Sequence, residues 1–284
     1  MFNRILVPVN FNANTALVMQ KAVEVANAFK CDLHLLHVQP TLTAIPFIYD
    51  GTVSGSWLRN GSDDISQKME QLMAEYKNRL DEGLLMSMET TPGNWQRVLK
   101  EVIIVRHIDL VLIPRANKRF AGTLVRQINI NRLSQQTGCP VLTVTRRFDV
   151  THLQHIVVPV RDEVPLRKLV VATYLARKFN GIIHLMGQNR SSTGEIRSSR
   201  SMMRAYQLLR DYSSVRVHCS THDENTGSAE TLTYAREVKA DLIVVNPGRE
   251  STGRGIFGRW LGRFLFRESS IPVLTIAPYH TGES

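Results

Sequence analysis

The chain contains the same series of apolar blocks twice, in the same order. Residues 4–9 read Arg-Ile-Leu-Val-Pro-Val, and residues 155–160 read His-Ile-Val-Val-Pro-Val. Asp109-Leu-Val-Leu-Ile-Pro114 returns as Asp241-Leu-Ile-Val-Val-Asn246, and Cys139-Pro-Val-Leu-Thr-Val144 returns as Ile271-Pro-Val-Leu-Thr-Ile276. Three blocks in one order indicate a tandem duplication, which leaves two similar domains as the architecture. Ile5 maps to Ile156 at an offset of 151 and His34 to His184 at 150, whereas Asp109 to Asp241 and Pro140 to Pro272 are both offset by 132. The first copy is therefore longer by about 18 residues between its second and fourth blocks. We place that surplus in residues 39–64, rich in Thr, Pro, Gly and Ser, and read it as a long surface loop.

The duplication divides the 284 residues into domains 1–148 and 149–284, each large enough for its own core. The net charge of +10 divides evenly: 17 Lys+Arg against 12 Asp+Glu through Phe148, then 18 against 13. A basic surface favours anionic and phosphorylated ligands. There is no polybasic run, aromatic-spaced basic strand or zinc-finger spacing, so specific nucleic-acid recognition is not expected. Three cysteines (Cys31, Cys139, Cys219) fit a reducing compartment without a disulfide framework. With no signal-peptide pattern and no apolar run near the ~20 residues needed to span a bilayer, the expectation is a cytoplasmic protein without membrane insertion.

Each half alternates short apolar runs with amphipathic stretches. In the first half, strands are expected at Ile5–Val9, Asp32–Val38, Leu110–Ile113 and Val141–Thr145. Helices are expected at Asn14–Phe29, Ile65–Met86, Trp95–Arg106 and Leu124–Gln136. In the second half, strands are expected at Ile156–Val160, Ile182–Met186, Val215–Cys219, Leu242–Val245 and Val273–Ile276. Helices are expected at Leu166–Phe179, Ser199–Asp211, Ala229–Val238 and Arg259–Arg267. Alternating βα units specify parallel sheets with helices on both faces, and ligands in such sheets bind beyond the carboxyl ends of the strands.

The Ile5-Leu-Val-Pro-Val9 opening, His34-Leu-Leu-His-Val38, the Asp-Leu fourth strand and the Pro-Val-Leu-Thr fifth strand, with counterparts of each in the second half, resemble the universal stress protein family in its tandem form. The resemblance covers nearly the whole chain. It implies an α/β fold of two tandem Rossmann-like domains, each a five-stranded parallel sheet of order 3-2-1-4-5 with helices on both faces. It also implies pairing through the fifth strands, with Val141–Thr145 antiparallel to Val273–Ile276 in one continuous sheet. Many members of the family bind ATP through a glycine motif after the fourth strand and an Asp after the first. Glycines let backbone amides approach phosphate, and a following helix N-terminus favours the anion.

Both halves depart from that motif. In the first, Pro114, Asn117, Gln127 and Ile128 stand at the motif positions, and Asn10 replaces the Asp. In the second, Asn246, Arg249, Arg259 and Trp260 stand there, and Arg161, next to Asp162, replaces the Asp. The second loop is nevertheless rich in glycine and arginine, with Gly255-Ile-Phe-Gly258 displaced from the usual place. Guanidinium groups bind phosphate bidentately and can replace part of a glycine cradle. A solvated basic helix face is the alternative. The candidate site for ATP or another adenine nucleotide is therefore Val160, Asn246, Gly248, Arg249, Gly255, Gly258 and Arg259, all in the second repeat.

Cys31, His34 and His37 have metal-like spacing, but His34 and His37 fall on opposite faces of one strand. His218, Cys219, His222 and Asp223, read as straddling a strand end and a loop, have no counterpart in the first half, and no metal is expected. No P-loop, nucleophile elbow or catalytic set is present, so any ATP hydrolysis is expected to be slow. Trp95 reads as core, and Trp57 as part of the long loop. Two functions follow. One is a ligand-sensing stress-response module whose partner is a small phosphorylated molecule. The other is a non-nucleotide interaction module that docks a regulatory protein or an anionic lipid-like ligand through the 39–64 loop and the basic helix face. Because the fifth-strand edges pair within the chain, either a monomer or a homodimer of pseudo-dimers is compatible.

Overall fold

The computed structural model describes residues 2–39, 56–115, 128–161, 163–189, 197–223, 228–247 and 270–278. Ten strands are described: β1 (Arg4–Pro8), β2 (Asp32–Gln39), β3 (Met86–Pro92), β4 (Leu110–Pro114), β5 (Val141–Val144), β6 (His155–Val160), β7 (Ile182–Asn189), β8 (Arg216–Asp223), β9 (Leu242–Val245) and β10 (Val273–Thr275). Seven helices are described with them: α1 (Thr15–Phe29), α2 (Ser56–Lys77), α3 (Trp95–Val105), α4 (Ile130–Thr137), α5 (Leu166–Phe179), α6 (Arg197–Tyr212) and α7 (Ser228–Glu237). In each repeat the strand order is 3-2-1-4-5, as β3-β2-β1-β4-β5 and as β8-β7-β6-β9-β10.

The chain forms two compact units, Met1–Val111 and Leu112–Ser284. In the first, β1 lies parallel between β2 and the start of β4, with Ile5 beside Leu33 and Leu110. In the second, β6 lies parallel between β7 and β9, with Ile156 beside Ile183 and Leu242. The unit boundary falls inside β4, whereas the sequence duplication joins at 148/149. The two differ because β5, the last strand of the first copy, pairs antiparallel with β10 of the second, Leu142 opposite Leu274. Contacts therefore count β5 with the second unit.

The repeated blocks have a physical reason. Ile5, Leu6 and Val7 are fully buried, as are Ile156, Val157 and Val158, so these strands are covered on both faces. The Asp that opens each fourth strand clasps the start of the first. Asp109 Oδ2 accepts from the Asn3 and Arg4 amides at 2.8 and 3.2 Å, and Asp241 Oδ2 accepts from the Gln154 and His155 amides, both at 2.9 Å. Helix ends are also chemically marked. Asn94 and Asn129 cap α3 and α4 through side-chain oxygens, while Lys30 and Asn180 close α1 and α5 in the left-handed region.

Three element assignments are corrected. The helix expected at 65–86 runs instead over Ser56–Lys77, so residues 56–64 and Trp57 are helical rather than part of a loop; residues 40–55 lie outside the described residues. The apolar stripe holds through Met69 and Tyr76, both buried, and then the chain turns through Gly83 at φ +86°. Met86–Pro92 is consequently a strand, parallel to β2 along its whole length. The strand expected at 215–219 continues to Asp223, because β7 offers partners out to Asn189. Helix 124–136 is seen as Ile130–Thr137, with 124–127 outside the described residues, as is all of the helix expected at 259–267.

Candidate functional site

The strand ends of the two repeats are finished differently. In the first, Asn10 is half-buried and Phe11 follows in the left-handed region at φ +49°, uncommon for so bulky a residue. His37 Nδ1–H donates to the Val9 carbonyl at 2.8 Å. Its ring lies 5.4 Å from Phe11 and, edge-on, 6.2 Å from Trp95. Burial pushes the His37 pKa down, although the Val9 carbonyl favours its proton. An aromatic cluster thus occupies the carboxyl end of β1 and β2. Pro114 and Ile128, which stand at motif positions, are buried; Asn117 and Gln127 lie outside the described residues.

In the second repeat, His37 is replaced by Gly187. A Cβ there would come within 2.8 Å of Met202 Sδ, so any larger residue would have to displace the Met202 side chain of α6. Val160 ends β6 fully buried, and Arg161 follows half-buried. Beside them, Lys168 is fully buried and donates from Nζ to the Pro159 carbonyl at 2.6 Å. Val18 occupies the same place in α1. From adjacent β9, Asn246 emerges half-buried, and the Pro247 carbonyl accepts from Gln135 Nε2 at 3.4 Å. β6 and β9 are the strands between which the winding of this repeat reverses, where open α/β sheets bind ligands. Of the sequence-derived site residues, the structure brings Val160 and Asn246 to that crevice. Gly248, Arg249, Gly255, Gly258 and Arg259 lie outside the described residues.

Lys168 was not singled out by sequence reasoning. Its signal is a lysine on the apolar stripe shared with Ala172 and Leu175, both buried. A second missed group crosses the sheet. His155, His184 and His218 stand on adjacent strands, with ring centroids 5.2 and 5.4 Å from the central His184. His155 Nδ1 and His184 Nε2 share a hydrogen bond of 3.0 Å, and Tyr234 Oη lies 3.3 Å from His184 Nδ1. Burial pushes His184 down to about 4, with the neighbouring imidazoles adding to the effect. At the same register in the first repeat stand Arg4, His34 and Ser87, and His34 Nδ1 bonds Ser87 Oγ at 2.8 Å. There Glu89 approaches His34 Nε2 at 3.5 Å. Burial raises the Glu89 pKa, but hydrogen bonds from Arg106 and Thr91 outweigh it and hold the carboxyl below its usual range. The expectation that His218 to Asp223 straddle a strand end is corrected, since all lie within β8. Among the described residues, no three His, Cys, Asp or Glu side chains are grouped to hold a metal ion.

Two parallel α/β repeats with strand-end crevices define a tandem Rossmann-like protein. The model of the universal stress protein family matches residues 1–145, and the chain belongs to that family. Its fold is similar to that of a universal stress protein from Archaeoglobus fulgidus DSM 4304, at 15% identity and a TM-score of 0.70, covering 98% of this chain and 97% of that one. A functionally unknown protein from Pseudomonas aeruginosa PAO1 is similar at 18% identity and TM-score 0.59, with 98% and 93% covered. The cytoplasmic domain of a prokaryotic cation chloride cotransporter is similar at 10% identity and TM-score 0.53, with 98% and 96% covered. No curated protein matches the chain. No helix among the described residues is long and apolar enough to cross a membrane.

Proposed function

We infer that this universal stress protein is a ligand sensor of the stress response that holds a phosphorylated small molecule, an adenine nucleotide first among them, in its second repeat. The observation that carries this reading is the pair of cations at the end of β6. Arg161 and Lys168 stand where the first repeat has Asn10 and Val18. A guanidinium offers phosphate bidentate geometry, and the lysine behind it adds positive potential at the strand end. Val160 and Asn246 flank the crevice, and the sequence that follows, rich in glycine and arginine, carries the remaining candidates for phosphate contact, Gly248, Arg249, Gly255, Gly258 and Arg259. The aromatic cluster on β1 and β2 disfavours an equivalent site in the first repeat.

Titration calorimetry of the full chain with ATP, ADP, AMP and inorganic phosphate tests the reading. Binding of at least one nucleotide is expected, weakened at least tenfold, about 1.4 kcal/mol, by Arg161→Ala combined with Arg249→Ala. Asn10→Ala should leave it unchanged. Absence of binding heat at millimolar nucleotide, or an unchanged affinity in the double variant, overturns it.

A further inference from the structure

Between α5 and α6 the second repeat carries an open groove of about 760 Å³, at the size typical of small-molecule sites. From α5, Leu166, Val170 and Tyr174 face it; from the last turns of α6 come Leu208, Leu209 and Tyr212. Leu166, Val170 and Tyr212 are 54%, 55% and 83% exposed, a large apolar surface to leave in water. Arg177 and Lys178, in the last turn of α5, line the same groove. Leu166 and Arg177 are about 16 Å apart along the helix axis at ~1.5 Å per residue.

The first repeat provides an internal control, because its own chain covers the end of α1 that corresponds to the cationic end of the groove. Helices α1 and α5 align through Phe29 and Phe179, so Val170 and Tyr174 correspond to Gln20 and Glu24, and Arg177 to Asn27. Gln20 and Glu24 form a polar surface pair at 2.9 Å. Residues 78–85, the connection from α2 to β3, dock onto α1. Asn27 Nδ2 donates to the Arg79 carbonyl and Asn27 Oδ1 accepts from the Asp81 amide, both at 2.9 Å, while Lys30 pairs with Asp81. In the second repeat the connection from α6 to β8 is only residues 213–215, too short to make such a cover. There the polar stripe has become apolar and the docking asparagine has become an arginine.

We propose that the α5–α6 groove is a binding site for a free long-chain carboxylate, with the acyl chain along Leu166, Val170 and Tyr174 and the carboxylate at Arg177 and Lys178. The match is one of charge and shape: an apolar trough ending in two cations fits an amphiphile with one acidic end. Full burial of a methylene strengthens binding roughly fourfold, so affinity must climb with chain length even in a half-open trough. The site is separate from the β6–β9 crevice, and its loss leaves the nucleotide reading intact.

Calorimetric titration of the full chain with sodium laurate, below its micelle concentration, and with sodium octanoate tests the assignment. One site is expected, with laurate bound at least tenfold more tightly than octanoate. Val170→Gln with Tyr174→Glu, which restores the first repeat's residues at exposed and half-buried positions, should weaken laurate at least tenfold while circular dichroism stays unchanged. Arg177→Asn should weaken laurate but not the uncharged dodecanol. Four results overturn the proposal: no laurate binding, equal binding by the folded double variant, flotation with phosphatidylglycerol vesicles without laurate binding, or a dimer that the double variant dissociates. The third result makes the groove a membrane contact and the fourth an interface between copies.

Discussion

Held between His155 and His218 at 5% exposure, the His184 imidazole is kept neutral in the folded chain well below the pH at which an ordinary histidine gains its proton. The unfolded chain takes up that proton as pH falls through 6.5, whereas the folded chain waits until about 4. Between those values the unfolded state binds more protons, so acid favours unfolding. The stabilising contribution is complete above pH 6.5, shrinks as pH falls and is gone below about 4; its size is at most about 3 kcal/mol. Melting temperatures measured from pH 7 to 4 should therefore fall, and His184→Gln should flatten that slope while lowering the plateau by roughly 1–3 kcal/mol through lost packing and hydrogen bonds. An identical slope in the variant would assign the acid sensitivity elsewhere. The separation of His34 from His37 onto opposite faces was legible from the period of a strand. The approach of His155, His184 and His218 was not, because it depends on the registers of three strands that sequence alone leaves open.

At the scale of elements, the antiparallel joint between β5 and β10 is fixed by side chains as well as by its ladder. Ser134 of α4 is fully buried; its Oγ donates to the Thr275 carbonyl at 3.5 Å and accepts from the Ala277 amide at 3.2 Å. Arg167 forks to the Ala277 and Gly138 carbonyls at 3.0 and 2.5 Å. Removing the serine hydroxyl leaves the Ala277 amide without that acceptor in a dry setting. Ser134→Ala should accordingly cost about 1–3 kcal/mol in denaturant unfolding, and a change under about 0.5 kcal/mol would show that the joint rests on its ladder alone. The joint itself was expected from the family resemblance that Pro-Val-Leu-Thr, present in both copies, helps to carry. β3 was not: Met86-Ser-Met-Glu-Thr-Thr follows an apolar stripe at helical spacing, and only the turn through Gly83 separates the two periods. The start of α2 at Ser56 was hidden for the opposite reason, since Gly and Ser in that stretch argue for a loop until the rest of the helix carries them.

For the whole molecule, duplication preserved what the sheet needs and released the rest. The Asp clasps, the apolar first strands and the fifth-strand pair recur, while His37 becomes Gly187, Val18 becomes Lys168 and the stripe of Gln20 and Glu24 becomes Val170 and Tyr174. Strand cores tolerate little change because every face is packed, whereas strand ends and outer helix faces are free to diverge. The fifth strands then set a limit on dissection. Cutting at 148/149 removes β5 from β10, whose Val273, Leu274 and Thr275 are all buried in the intact chain. An uncovered edge of that kind presents unpaired amides and carbonyls together with apolar side chains, a ready template for another strand. Fragment 149–284 should therefore self-associate, and adding fragment 1–148 should convert it to a one-to-one complex through the β5–β10 register. Sedimentation equilibrium of each fragment and of the mixture measures this directly. A fragment 149–284 that stays folded and monomeric, and does not bind fragment 1–148, would mean that the second repeat covers its own edge. Replacing Leu274 by Lys within the fragment gives the converse expectation: a charge facing the partner strand's Leu142 should abolish both associations while leaving β9 and β6 paired.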